Sequence, residues 1–168
     1  MRKVNQYFIL CFFMAIIFGC SKKASDSVSP SIVGIWKDNG VKGTFTITFM
    51  GQTATESLDE AATGDNIEFK SDGSVTNLSA IGDETQFTKY KTTGNLLTLT
   101  GTQLGKPIEF SFNFTVSGSN LLLTMDKALF AKNIVAVSSV DPDSDLADLK
   151  EFVSFITNFK YEHSLIKQ

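Results

Sequence analysis

Residues 43–49 read Gly43-Thr44-Phe45-Thr46-Ile47-Thr48-Phe49, an unbroken alternation of apolar and polar side chains. Successive side chains of an extended backbone point to opposite faces. The period of two therefore puts Phe45, Ile47 and Phe49 on one face and the three Thr on the other. A strand with one buried face and one wet face follows, and Thr suits the wet face of β backbone.

The same pattern recurs outward in both directions. Before it, Gly34-Ile35-Trp36 opens a first short strand. After it, Ile67–Lys70 and Val75–Leu78 flank Ser71-Asp72-Gly73-Ser74. Asp-Gly is a strong hairpin signal because Gly accepts positive φ. Thr85–Thr92 and Leu96–Thr100 flank Thr93-Gly94-Asn95, a second hairpin. Ile108 to Val116 aligns Ile108, Phe110, Phe112, Phe114 and Val116. It then turns at Ser117-Gly118-Ser119-Asn120 into Leu121, Leu123 and Met125, a third hairpin.

Short strands at about ten-residue spacing predict a mainly β domain, an up-and-down antiparallel meander. Closure into a barrel of about eight strands removes exposed edges, and leaves an interior for side chains or one small ligand. The inward candidates, core or ligand-facing, are Trp36, Phe45, Phe49, Phe110, Phe112 and Phe114. A Trp at the start of a barrel strand reads first as a plug for one end of the core.

Two stretches break the alternation. Thr53 to Thr63 reads either as one or two helical turns stopped by Gly64 or as a loop. After Met125, Asp126 stands as an N-cap before Lys127-Ala128-Leu129-Phe130, with Ile134 four residues after Phe130. Val135, Val137 and Val140 lean towards strand, so Lys127–Val140 is left between helix and strand. Asp141-Pro142-Asp143-Ser144-Asp145 lacks the Gly and Glu of a calcium loop and reads better as a helix start. Leu146, Leu149, Val153 and Ile156 mark a helical stripe, with Phe152 beside it. Asn158 to Ile166 alternates again, with Phe159, Tyr161, His163 and Leu165 on one face. It is predicted to close the barrel against the first strand, after a helical insertion over about 127–157.

The amino terminus has a different character. Arg2 and Lys3 precede Tyr7–Gly19, an apolar run of 13 residues. That is short of the roughly 20 a spanning helix needs, and has the basic–apolar–small order of a secretory signal. Ile17-Phe18-Gly19-Cys20 resembles the lipobox of bacterial lipoproteins. The resemblance implies a signal peptide at 1–19, cleavage before Cys20, and acylation at the Cys20 sulfur and the new amino terminus. Two or more chains make such anchoring stable, at about 0.8 kcal/mol per buried methylene. Residues 20–32 then form a Ser-rich tether, and 33–168 the barrel domain. Ser21 behind the cysteine, instead of Asp, resembles the signal for passage to the outer membrane. Lys22 and Lys23 replace the acids of surface-export tags, which favours the periplasmic face over the cell surface. Asp26-Ser27-Val28 matches a short O-glycosylation pattern of the Bacteroidetes and makes Ser27 the candidate hydroxyl.

Within the domain, Gly34-Ile35-Trp36 looks like the Gly-X-Trp of lipocalins. Phe69-Lys70-Ser71-Asp72-Gly73-Ser74 is similar to the Phe-X-X-Asp-Gly hairpin of the lipocalin-like lipoproteins abundant in Bacteroidetes, and Tyr90 with Gly94-Asn95-Leu96-Leu97-Thr98-Leu99 fits the same rhythm. The resemblance covers about Val33 to Met125 and implies a lipocalin-like barrel. Lipocalins often cover the Trp with a late Arg. The only Arg here is Arg2, so either Lys160 substitutes or nothing does.

Without Arg2 and Lys3, thirteen Lys face eighteen acids. An acidic, Arg-free surface argues against nucleic acid, whose phosphates need a basic footprint. Once Cys11 leaves with the leader, Cys20 stands alone, so no internal disulfide forms and stability rests on the core. No phosphate loop, nucleophile elbow or metal spacing is present. His163, the single His, has no second His or Cys for a zinc site and reads as a partly exposed strand residue. Asp59-Glu60 and Asp83-Glu84 read as solvated loop acids. The expectation is a non-enzymatic module without cofactor or metal, held to the membrane by its lipid. Its barrel mouth would take a small apolar molecule. The rival is a filled barrel that docks on other envelope proteins, and an unrecognised hydrolase stands third.

Overall fold

Gly34-Ile35-Trp36 and the 43–49 alternation belong to one strand, β1 (Gly34–Phe49), in the computed structural model. The structure describes residues 31–78, 85–143 and 145–168, without the side chains of 145–148. The leader, Cys20, Ser27, Asp83 and Glu84 lie outside the described residues.

β1 stays continuous by means of a bulge. Its pairing to the last strand shifts register between Asp38 and Val41. Gly40 sits inside that shift at φ 98°, where a Cβ would lie 2.8 Å from the Glu60 carbonyl. Such a bulge adds a residue to one strand and bends it. Here it lets the inward face run Trp36, Asp38, then Val41, Gly43, Phe45, Ile47.

Around β1 the chain forms β2 (Gln52–Glu60), β3 (Asn66–Phe69), β4 (Val75–Thr76), β5 (Thr85–Thr93), β6 (Leu96–Gln103), β7 (Lys106–Ser117) and β8 (Asn120–Met125). Helices α1 (Lys127–Val140) and α2 (Asp145–Phe152) and a 3-10 turn (Val153–Phe155) follow, then β9 (Ile156–Lys167). Strand order is β4-β3-β1-β9-β8-β7-β6-β5, with β2 also on β1. β3 and β2 lie end to end along the same edge of β1, so the nine strands make eight staves. The seam between β4 and β5 is bridged by Ser74 and Lys89, and by the Tyr90 amide donating to the Gly73 carbonyl at 2.7 Å. The result is a nearly closed antiparallel eight-strand barrel with helices before the last strand. β9 closes it against β1, as the sequence predicts.

Two expectations change. Residues 53–60 are neither helix nor loop but strand β2. Every residue of β2 is exposed, so burial imposes no apolar alternation on it. What holds it is the edge of β1, with hydroxyl pairs Thr46–Thr55 at 3.0 Å and Thr48–Thr53 at 3.1 Å. Residues 127–140 are helix despite their Val content. The Asp126 carboxylate accepts from the Leu129 amide at 2.9 Å, as the capping pattern predicts.

The core fills one half of the barrel. Trp36, Phe69, Phe112, Phe114, Leu97, Leu99, Leu121, Leu123 and Leu165 are almost fully buried there. Trp36 plugs the end of the barrel beside Ile32. Its indole N–H donates to the Ile32 carbonyl at 2.7 Å, and the Lys167 ammonium lies 5.5 Å from the ring centroid. Lys160 does not cover the Trp. It sits far along β9, opposite Thr44, paired with Glu162 at 3.0 Å. Gly34 explains the Gly-X-Trp motif: at φ 142° it suits glycine, and a Cβ would press on Lys167 Cε at 3.3 Å.

Candidate functional site

The opposite end of the barrel is not filled. β8 stops at Met125, while β7 and β9 run on. α1 takes the vacated place. Buried Asn133 acts as a strand substitute: its carbonyl accepts from the Ser111 amide and its NH2 donates to the Ser111 carbonyl, both at 2.9 Å. A side chain that satisfies both backbone groups of an interrupted ladder keeps a buried edge from going unpaired. Phe130 stacks on Phe159 at 4.1 Å, and Lys127 donates to the Ile156 carbonyl, which ties α1 to β9.

A helix cannot lie as close to a barrel as a strand does, and a pocket of about 480 Å³ remains beneath it. One wall is the inward face of β1, β2 and β9: Phe45, Ile47, Leu58, Ile156, Phe159 and Tyr161. Phe110 and Met125 form the floor, and Phe130, Ile134, Leu149 and Phe152 the helical roof. Its lining is almost wholly apolar, with Asn133 and the Tyr161 hydroxyl the polar groups of the set. Leu58, Leu149 and Phe152 are partly exposed and mark the rim.

A second cavity of about 280 Å³ lies on the other side of Tyr161, at the β1 bulge. It is polar, lined by Asp38, Glu60, Thr63, Asp65, Asn77 and His163 among others. Asp38 organises it. One carboxylate oxygen accepts from the Gly40 amide at 3.1 Å and meets His163 Nε2 at 2.7 Å. The other accepts from the Thr63 amide at 2.5 Å and the Thr63 hydroxyl at 2.9 Å. Burial pushes the Asp38 pKa up, but these hydrogen bonds outweigh it and bring it down to about 2. Tyr161 moves the other way. Burial, with the negative charges of Glu60 and Asp38, pushes it up to about 12, so its hydroxyl stays a donor at neutral pH.

The inward candidates separate into three groups. Trp36, Phe112 and Phe114 are core. Phe45 and Phe110 line the apolar pocket. Phe49 is neither: half exposed at the hairpin tip, it meets Phe155 edge-on at 5.0 Å. β1 outruns the barrel there, so its last inward residue has no lumen to face. His163 is the partly exposed strand residue expected, with its side chain 13% exposed, but it is also bonded to Asp38, a partner the sequence did not reveal. Its place between Tyr161 and Leu165 on the inward face was the available signal, because a polar group on a buried face needs a partner. Glu60 ends a strand instead of lying in a loop.

Among the described residues no group of three or more His, Cys, Asp or Glu could hold a metal ion. No described helix is long and apolar enough to cross a membrane. Comparison with protein-family models, curated proteins and solved structures yields no match.

Proposed function

We propose that this chain is a lipid-anchored, lipocalin-like protein of the outer membrane. It faces the periplasm and works as a non-enzymatic binding module for a small apolar ligand. The observation that carries the reading is the apolar pocket of about 480 Å³ under α1 and α2. Ligand sites commonly begin at about 300 Å³, are mainly apolar and carry a few placed polar groups. The lipobox supports the address, and the solid core at the Trp36 end supports a one-ended container. Binding is the default for such a pocket, because none of the described residues that line it pairs a nucleophile with a base.

The rival, a filled barrel docking on envelope proteins, draws support from the packed half of the lumen and from exposed Phe49 and Met50. Native mass spectrometry of the protein purified from its own host separates the two. A retained lipid-like mass, lost in Leu58→Trp, is expected. Leu58 sits on the exposed edge strand, so the larger ring fills the pocket from its rim without disturbing the core. A bare protein mass from fresh membranes would overturn the binding reading.

A further inference from the structure

The two cavities share Tyr161 as a common wall, yet their chemistries are opposite. One is apolar and the other is lined by three carboxylates and a His. Asp38 and His163 neutralise each other's demands at 2.7 Å, and the hydrogen bonds to Asp38 leave it little capacity for another donor. Glu60 and Asp65 differ. Among the described residues neither forms an ion pair, and no described Lys lines either cavity. The field in the polar cavity is therefore negative. The same field opposes ionisation of the Tyr161 phenol next to it.

We propose that the ligand is an amphiphile with a cationic amine head, its chain in the apolar pocket and its ammonium in the polar cavity beside Glu60 and Asp65. This rests on the reading of the apolar pocket as a ligand site and adds the head group to it. Charge complementarity selects the sign. A carboxylate head would meet the two like charges of Glu60 and Asp65, whereas an ammonium gains two unpaired acceptors and the Asn77 side chain. Chain length sets affinity separately. At about 0.8 kcal/mol per buried methylene, each added carbon tightens binding about fourfold until the pocket is full.

The test uses the full-length protein in phosphatidylcholine nanodiscs, with empty discs as reference. It is titrated calorimetrically with decylamine, decanol and decanoate, the ions below their micelle concentrations and the alcohol below its solubility limit. The amine is expected to bind about tenfold or more tighter than the carboxylate, with the alcohol between them. Glu60→Gln combined with Asp65→Asn, in the same discs, is expected to bring the amine-to-carboxylate ratio near one. Both positions are exposed, so the double variant keeps its fold. If decanol binds but the amine shows no preference over decanoate, the charge inference fails and the pocket reading survives. If none of the three binds above empty discs, the pocket reading itself fails.

Discussion

The two ends of β1 carry the same inward alternation and meet different neighbours. At the end beside Ile32, Trp36 finds β3 on one side, β9 on the other and Lys167 above it, and is fully buried. At the far end, Phe45 and Ile47 find an edge strand, β9 and a helix roof, and stay partly open to a cavity. Identical local rules give a plug in one place and a container in the other. The difference comes from the wall opposite: β8 is 6 residues long against 12 for β7 and β9. Where β8 is present the barrel closes and side chains interdigitate. Where it is missing, α1 stands in, and helix-on-sheet packing leaves the space that a ligand could fill.

Truncation at the two ends should separate them most strongly. Trp36→Ala removes a fully buried ring from a solid core and is expected to cost about 3–5 kcal/mol in urea unfolding. Phe45→Ala enlarges a space that already exists and is expected to cost only about 1 kcal/mol. Equal losses would mean that the far end is as tightly filled as the near one.

Between the ends lies the Asp38 tier, whose contribution depends on pH. The folded pKa of about 2 is below the reference 3.8, so on acidification the unfolded chain takes the proton first. The stabilisation is therefore complete above about pH 5 and is lost as pH falls through 4 to 2. Its size is about 2 kcal/mol. The stability difference between the native chain and Asp38→Asn should shrink from about that value at pH 7 towards zero at pH 2. A difference that is flat with pH would remove Asp38 as the anchor of this tier.

The same contrast explains what could be read from the chain. The barrel was legible wherever one face is buried, as at Phe110, Phe112 and Phe114, because burial forces a period of two. β2 was not, because an edge strand whose every residue is exposed needs no pattern beyond Thr hydroxyls that meet across the ladder. Nor was the helix at 127–140 settled, since the absence of a strand partner beside β7, and not local propensity, decides it. Of the site, Phe45 and Phe110 were visible as inward residues. The pairing of Asp38 with His163 was not, because 125 positions separate them and only the register of β1 against β9 brings them together.

The smallest effect concerns the cap on Trp36. A cation over an indole contributes about 0.5–1 kcal/mol where it is partly exposed. Lys167→Met keeps the aliphatic stem against the ring and removes the charge, so it isolates that contribution. It is expected to lower stability by about 0.5 kcal/mol at low salt. Lys160→Met should change stability by less, because its partner Glu162 is a surface pair of little net worth. If the two substitutions cost the same, the ammonium above Trp36 is only lying against the ring. The near end would then owe its closure to the packing around Trp36 and its bond to Ile32, and Gly34 would be required by its own φ of 142° more than by the lysine that crosses it.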